Sequence, residues 1–497
     1  LRAVVYGPAG NTSLTTRFVR GIAVDADGNI WYATPAGAFR FQAHMWRTDI
    51  QGQGEGDLIN HVNDLLVDRQ GRLWVATGGG GIRVKAKPSA EEVVYTPEDG
   101  VPSRVLTLAE AADGAIWAGT FTGVFRYATG RWEQALTSDL LPSLVVTVLL
   151  SDGPYMWIGT DLGLIRYDTR DGSVEPLLEF AQQSVEALML DGRSRLWVGT
   201  QHSGVWQRRT DGQWVKHAHN PEDEASIPGN WIIGSGLAPD WRADGHIWAI
   251  VYNAGLVYWD GQAWSPADLE GQVASSLIWT LEVEADAGML WVGSEAGVSL
   301  FDGRTWGSLT PEDGLNSPVV YAIEPAEEGA YWIGGPAGLS YYRPDRRPPW
   351  VRIGSFTGDF EMRADGAIEV PVGEALQLSI AAGDLQTDRD KLELLYRRSG
   401  PGDDGGWQEV TANAIETTFE EAGQYRFEIV ARDLSFNYSE PAVQTVNAFV
   451  PPPKVNVPGL GLVDPNTFRA LIVLGLISTL GAGYITIELL NHRRRSI

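Results

Sequence analysis

The chain has no cysteine among its 497 residues. That excludes a disulfide framework, a thiolate zinc site and a cysteine nucleophile. Histidine is scarce as well, with seven residues scattered along the sequence. His217-x-His219 comes nearest to a chelating pair, but it falls on an outer strand, so no metal site is expected. Basic residues number 38 against 63 acidic ones, a net charge of −25. A nucleic acid or an anionic lipid surface would be repelled, and neither is expected as a partner. There is no G-x-S-x-G elbow and no G-x-x-x-x-G-K-[ST] phosphate loop. No catalytic residue and no cofactor can be named, and the chain is expected not to be an enzyme.

What is present is repetition. Gly28-Asn29-Ile30-Trp31-Tyr32-Ala33-Thr34, with Gly37 behind it, comes back seven times, and its tryptophan recurs as Trp74, Trp117, Trp157, Trp197, Trp248, Trp291 and Trp332. The steps run from 40 to 51 residues. Such a period marks stacked four-stranded sheets, the blades of a β-propeller. In the second copy, Val62 to Asp68 forms a strand with a continuous apolar stretch, Asp68-Arg69-Gln70-Gly71 a tight turn and Leu73 to Thr77 the next strand. Outer strands follow around Trp132, Trp214, Trp264 and Trp306. The repeated tryptophans read as packing between blades. Asp25 to Asn29 resembles the start of a calcium loop, but it lacks the later bidentate glutamate and reads as a turn.

The fold class expected is all-β: an eight-bladed β-propeller over 1–348, an immunoglobulin-like β-sandwich over 349–450, and one transmembrane helix. Ala3-Val4-Val5-Tyr6-Gly7-Pro8 resembles Glu92 to Pro97 and is expected to complete the eighth blade as its outer strand. Seven blades and one stray copy is the alternative count. Six alternating strands between Ala367 and Val446 give the sandwich. A proline-rich linker spans 451–467, a transmembrane helix 468–490 and a basic tail 491–497. Arg493, Arg494 and Arg495 follow the span, against Lys454 and Arg469 before it. The positive-inside bias places the tail in the cytoplasm and the bulk of the chain outside a cell membrane crossed once. Gly475, Thr479 and Gly483 share one helix face that permits close helix packing. The chain opens at Leu1 rather than Met, so a cleaved leader or a trimmed end is expected.

The motif G-x-I/L-W-x-G/A-T-x-x-G with a preceding Asp resembles the regulator-propeller repeats of bacterial two-component sensors. Leu394-Leu395-Tyr396, Trp407, Gly423 to Phe427, Ala431-Arg432-Asp433 and Asn437-Tyr438-Ser439 resemble the triple-tyrosine (Y_Y_Y) domain that follows those propellers. The resemblance implies the extracytoplasmic half of a hybrid two-component sensor, often one for glycans, joined by its helix to a histidine kinase. No kinase follows before Ile497. The expectation is therefore that the transmitter is a separate signalling protein, or that the architecture serves as an anchored binding or scaffold subunit.

In a propeller, the connections after the second and fourth strands gather on one face around the channel. The copies differ there, and Arg17, His61, Arg104, Phe121, Asp161, Gln201, His202, Trp231, Asn253, Glu295 and Asn316 are the candidate binding residues. Rings that stack and amides that hydrogen-bond suit a glycan or peptide ligand. Other membrane or extracytoplasmic proteins, and self-association through the helix, are the partners expected. A structural subunit of a membrane assembly is one alternative. A propeller lyase or hydrolase is another, because the repeats faintly resemble streptogramin lyase, with His61 or His202 in the histidine's role.

Overall fold

The computed structural model describes residues 19–494, apart from 25–29, 36, 42–45, 53–55, 89, 268–272, 385–386, 388, 404, 454 and 464. The chain divides into two compact units, Leu1–Asp345 and Arg346–Ile497.

The first unit is a β-propeller. Its innermost strands, Val62–Val67, Val105–Glu110, Val146–Asp152, Val185–Leu190, Ile232–Pro239, Ile278–Glu284 and Ala322–Ala326, follow one another around a channel, and the last packs against the first. Each begins an antiparallel four-stranded blade, numbered 1 to 7 here. The β-propeller stands, but the ring closes with seven blades among the described residues. Blade 7 takes its outer strand from Trp46–Gln51, which pairs with Gly338–Tyr342 from Leu339 opposite Ile50 to Tyr342 opposite Trp46. The strand expected for this role, Ala3 to Pro8, lies outside the described residues, as does the calcium-like run Asp25 to Asn29. The first copy of the motif forms a separate three-stranded sheet, Gly21–Val24, Ile30–Thr34 and Gly37–Phe41. The physical reason for the changed count is in Trp46. It repeats the tryptophan of the other outer strands, and its buried ring packs on Tyr342 at 4.4 Å.

The seven motif tryptophans of the ring are all buried. Trp117 of blade 2 packs among Val146, Leu149 and Ile158 of blade 3, and Trp197 of blade 4 among Ile232, Leu237 and Ile247 of blade 5. Removing about 200 Å² of ring from water at ~25 cal/mol/Å² stabilises by several kcal/mol per residue. The aspartate of the motif has a matching task. Asp68 accepts the Trp74 indole N–H at 2.8 Å, and Asp191 that of Trp197 at 2.9 Å. Both carboxylates also accept backbone N–H groups of their own turns, which joins the turn to the packed ring. Burial alone would raise both groups, but these donors outweigh it and hold each below its ordinary value.

The second unit contains a three-stranded sheet and a six-stranded sheet enclosing a core that includes Leu378, Ile415, Phe419, Phe427, Ile429 and Val446. Three strands of these two sheets, Trp350–Gly358, Glu361–Met362 and Ala414–Thr418, lie outside the six segments read from alternation. A helix from Pro465 to Arg494 follows. Its segment Pro465–Ala482 is long and apolar enough to cross a membrane, and its side chains are not covered by protein.

Candidate binding site at the channel mouth

An innermost strand has one edge without a neighbour, so its backbone groups need other partners. Side chains supply several of them by reaching to the next blade. Asn63 Nδ2 donates to Val105 O at 2.7 Å, and Glu324 Oε1 accepts Val67 N–H at 2.8 Å. Asp64 accepts N–H groups from Leu65 at 2.9 Å and Leu108 at 2.7 Å. Between blades 5 and 6 the strands touch directly, with Ser235 beside Thr280 in a parallel bridge. Gly234 makes this possible. Its φ is +57°, and a Cβ there would lie 1.9 Å from Trp279 O.

At the end of the channel where these strands begin there is a cavity of about 410 Å³. Every blade contributes to its wall. His61, Tyr321 and Trp279 come from blades 1, 7 and 6. The first two rings are stacked at 5.3 Å, and the second pair meets edge-on at 5.5 Å. Thr107, Thr147, Glu186 and Ser235 complete the wall from blades 2 to 5, and Asp64 lies one step further in. Ser184 Oγ donates to Glu186 Oε1 at 2.6 Å.

The electrostatics are one-sided. Among the described residues, no lysine or arginine lines the cavity. Burial pushes the Asp64 carboxyl up to about 6 against the hydrogen bonds it accepts. Further along the inner strands, burial and the charge of Glu284 push Glu282 up to about 8. Burial, then the charges of Glu282 and Asp64, hold Glu324 well above the usual carboxylate range.

The two faces of the propeller also differ. The face at the cavity mouth exposes Phe121, Leu162 and Tyr252 after second strands, and Leu58, Ile59, Leu140, Leu144, Trp231 and Leu277 in the inter-blade connections. The turns on the other face expose no large hydrophobic side chain among the described residues. Leu178 is 81% exposed and lines a groove of about 330 Å³ with Leu140, Pro142 and Leu162.

The residues singled out from sequence divide accordingly. His61 lines the cavity. On the surrounding face, Arg104 lies over the Phe121 ring at 4.2 Å, and Trp231 packs on Tyr252 at 4.3 Å with His202 beside it at 6.5 Å. Asp161, Gln201 and Glu295 sit just after second strands, and each donates its backbone N–H to the neighbouring inter-blade connection. Asn253 occupies a left-handed turn at φ +62°. Asn316 is placed to hold the ring together, with Nδ2 donating to Ile50 O at 3.4 Å and Ala337 O at 3.3 Å. Arg17 lies outside the described residues. On the C-terminal helix, Thr479 Oγ1 donates back to Gly475 O at 2.8 Å, one turn before Gly483. His217 does not pair with His219. It is packed against the rings of Trp197, Trp259 and Trp264, while His219 Nδ1 meets Ile227 O at 2.9 Å.

Asp64, Glu186, Trp279 and Tyr321 were missed from the sequence. The signal that could have found them is position, since each stands within three residues of where an inner strand begins.

Residues 56–79 match the model of the two component regulator propeller. The chain carries a two component regulator propeller repeat. No curated protein matches it in sequence. Among solved structures, the chain is similar to the extracellular domain of BT3049 from B. thetaiotaomicron, described as a putative hybrid two component system. Identity is 21%, TM-score 0.53, with 88% of this chain and 63% of that one covered. The extracellular domain of BT4673 from the same organism matches at 16% identity and TM-score 0.47, covering 90% and 65%. Virginiamycin B lyase from Staphylococcus aureus matches at 12% identity and TM-score 0.45, covering 60% and 98%. The chain thus spans less than two thirds of the length of both BT domains. The likeness to BT3049 shows a shared fold.

Proposed function

We propose that this chain is an extracytoplasmic sensor-type binding protein, anchored by its C-terminal helix, that recognises a peptide segment of a partner through the face around the channel mouth. The observation that carries the reading is the asymmetry of that face. Aromatic and aliphatic side chains stand exposed around a cavity walled by all seven blades, while the opposite face exposes charged turns. Contiguous apolar surface rimmed by polar groups marks a recognition surface. The arginines after the helix and the regulator-propeller likeness support an extracytoplasmic placement for both β units.

The same face would serve a constitutive subunit of a membrane assembly, and the experiment separates the two. The whole chain is cross-linked in its native membrane through a photoreactive residue at Leu162 or Trp231. A sensor gives a cross-linked product that is lost when the membranes are washed, or excess free peptide is added, before irradiation. A structural subunit gives one whose yield survives both treatments. If neither position cross-links above a control on the opposite face, such as Gln70, the proposed face is wrong.

A further inference from the structure

Resting on that reading of the face, we infer that the channel mouth receives the side chain of a lysine or arginine presented by the partner segment, while its apolar neighbours seat on the surrounding loops. Three observations combine. The aromatic wall formed by His61, Tyr321 and Trp279 offers ring surfaces of the kind that attract an ammonium or guanidinium group. Across the ring, blade 4 supplies the Glu186 carboxylate, and Asp64 lies below the mouth. Among the described residues, no lysine or arginine lines the cavity to oppose an incoming cation.

The alternatives fare worse physically. An anion would enter a cleft whose carboxylates and low-dielectric walls focus a negative field. A neutral sugar would gain the stacking but leave that field unused. A cation can give up its water only where carboxylates take its place, and this cavity provides them. A volume of about 410 Å³ holds one long side chain with water, and is too small for a folded element. The apolar groove by Leu140, Leu162 and Leu178 on the same face suits an aliphatic residue flanking that cation. Asp64, which lines the cavity and whose carboxyl burial raises to about 6, favours the bound cation once ionised, and a protonated His61 would oppose it, so binding strengthens from pH 5 to pH 8.

The test is a selection of random twelve-residue peptides on the full-length protein in nanodiscs. Expected peptides carry one fixed lysine or arginine between apolar residues. Their affinity falls at least about tenfold when that residue is replaced by norleucine, and similarly in Glu186→Gln. Ser235→Arg, a change at an exposed position that should leave folding intact, places a fixed guanidinium at the mouth and abolishes binding. Peptides selected without any basic residue, or basic peptides that bind Ser235→Arg as well as wild type, overturn the inference and leave the binding face standing. Peptides indifferent to both Phe121→Asp and Trp231→Asp overturn the face and the inference together.

Discussion

Trp46 and Tyr342 stand opposite each other in blade 7, one opening the closing strand and the other ending the strand it completes, with ring centroids 4.4 Å apart. The same strand reaches across to blade 1. Asp49 is ion-paired with Lys85, and Arg47 Nη2 donates to Pro88 O at 2.9 Å. A segment early in the chain thus holds the last blade and the first together.

Closure is accordingly the weak point of the ring. Trp46→Ala should cost about 3–5 kcal/mol, read as a lower urea midpoint for the propeller transition. Removing everything before Trp46 should leave that transition in place. If the truncation lowered the midpoint more than Trp46→Ala does, closure by residues 46–51 would be wrong.

The aspartates that hold the Trp74 and Trp197 indoles give a second expectation. Asp191→Ala leaves a buried Trp197 N–H without its acceptor and should cost about 1–3 kcal/mol, with Trp197→Phe in the same background recovering part of it. Because Asp68 and Asp191 are held below the usual carboxylate range, the folded protein binds fewer protons than the unfolded chain. Their stabilisation is complete above the unfolded value of about 3.9 and disappears as pH falls through the folded one. Urea midpoints between pH 2 and pH 5 check the sign.

Glu282 and Glu324 act in the opposite direction. Their carboxyls are raised, so the folded state holds protons that the unfolded chain has released, and stability declines as pH rises from the ordinary carboxylate range toward about 8. Glu282→Gln should raise the melting temperature at pH 8 by about 2–4 °C and leave it nearly unchanged at pH 4. Equal shifts at both pH values would refute ionisation as the cause.

Burial lowers His217 to about 4. Its ring should show no titration above pH 5 by NMR and give no zinc-dependent change. Protonation of the folded ring is costly, so stability falls as pH drops from about 6.5 toward 4. A midpoint for His217 near 6.5 would contradict its packing among three tryptophans.

Absence of cysteine makes the membrane orientation directly measurable. Asn456→Cys should react with a membrane-impermeant maleimide on intact cells, and Ser496→Cys only after permeabilisation. The reverse pattern would invert the proposed topology.

The periodic tryptophans, the turn aspartates and the apolar run near the C-terminus were legible because each reflects a local rule: strand alternation, turn chemistry, hydrocarbon thickness. The closing strand was not. Trp46 and Ala3 to Pro8 both carried an outer-strand signature, and local pattern cannot rank two candidates for the same distant edge. Asn316 illustrates the same limit at the site, for a polar loop residue that looks available in sequence is occupied by the carbonyls of Ile50 in the closing strand and Ala337 in the turn before Gly338.

Repetition in the sequence by itself determined a radial stack of sheets, because each copy has apolar faces that only another copy can cover. Which copies share one ring, and that His61, Glu186, Trp279 and Tyr321 face a single cavity, was decided in three dimensions. Residues separated by whole blades meet only when the circle closes, and the strand that closes it is chosen by how well its rings and ion pairs fit both neighbours at once.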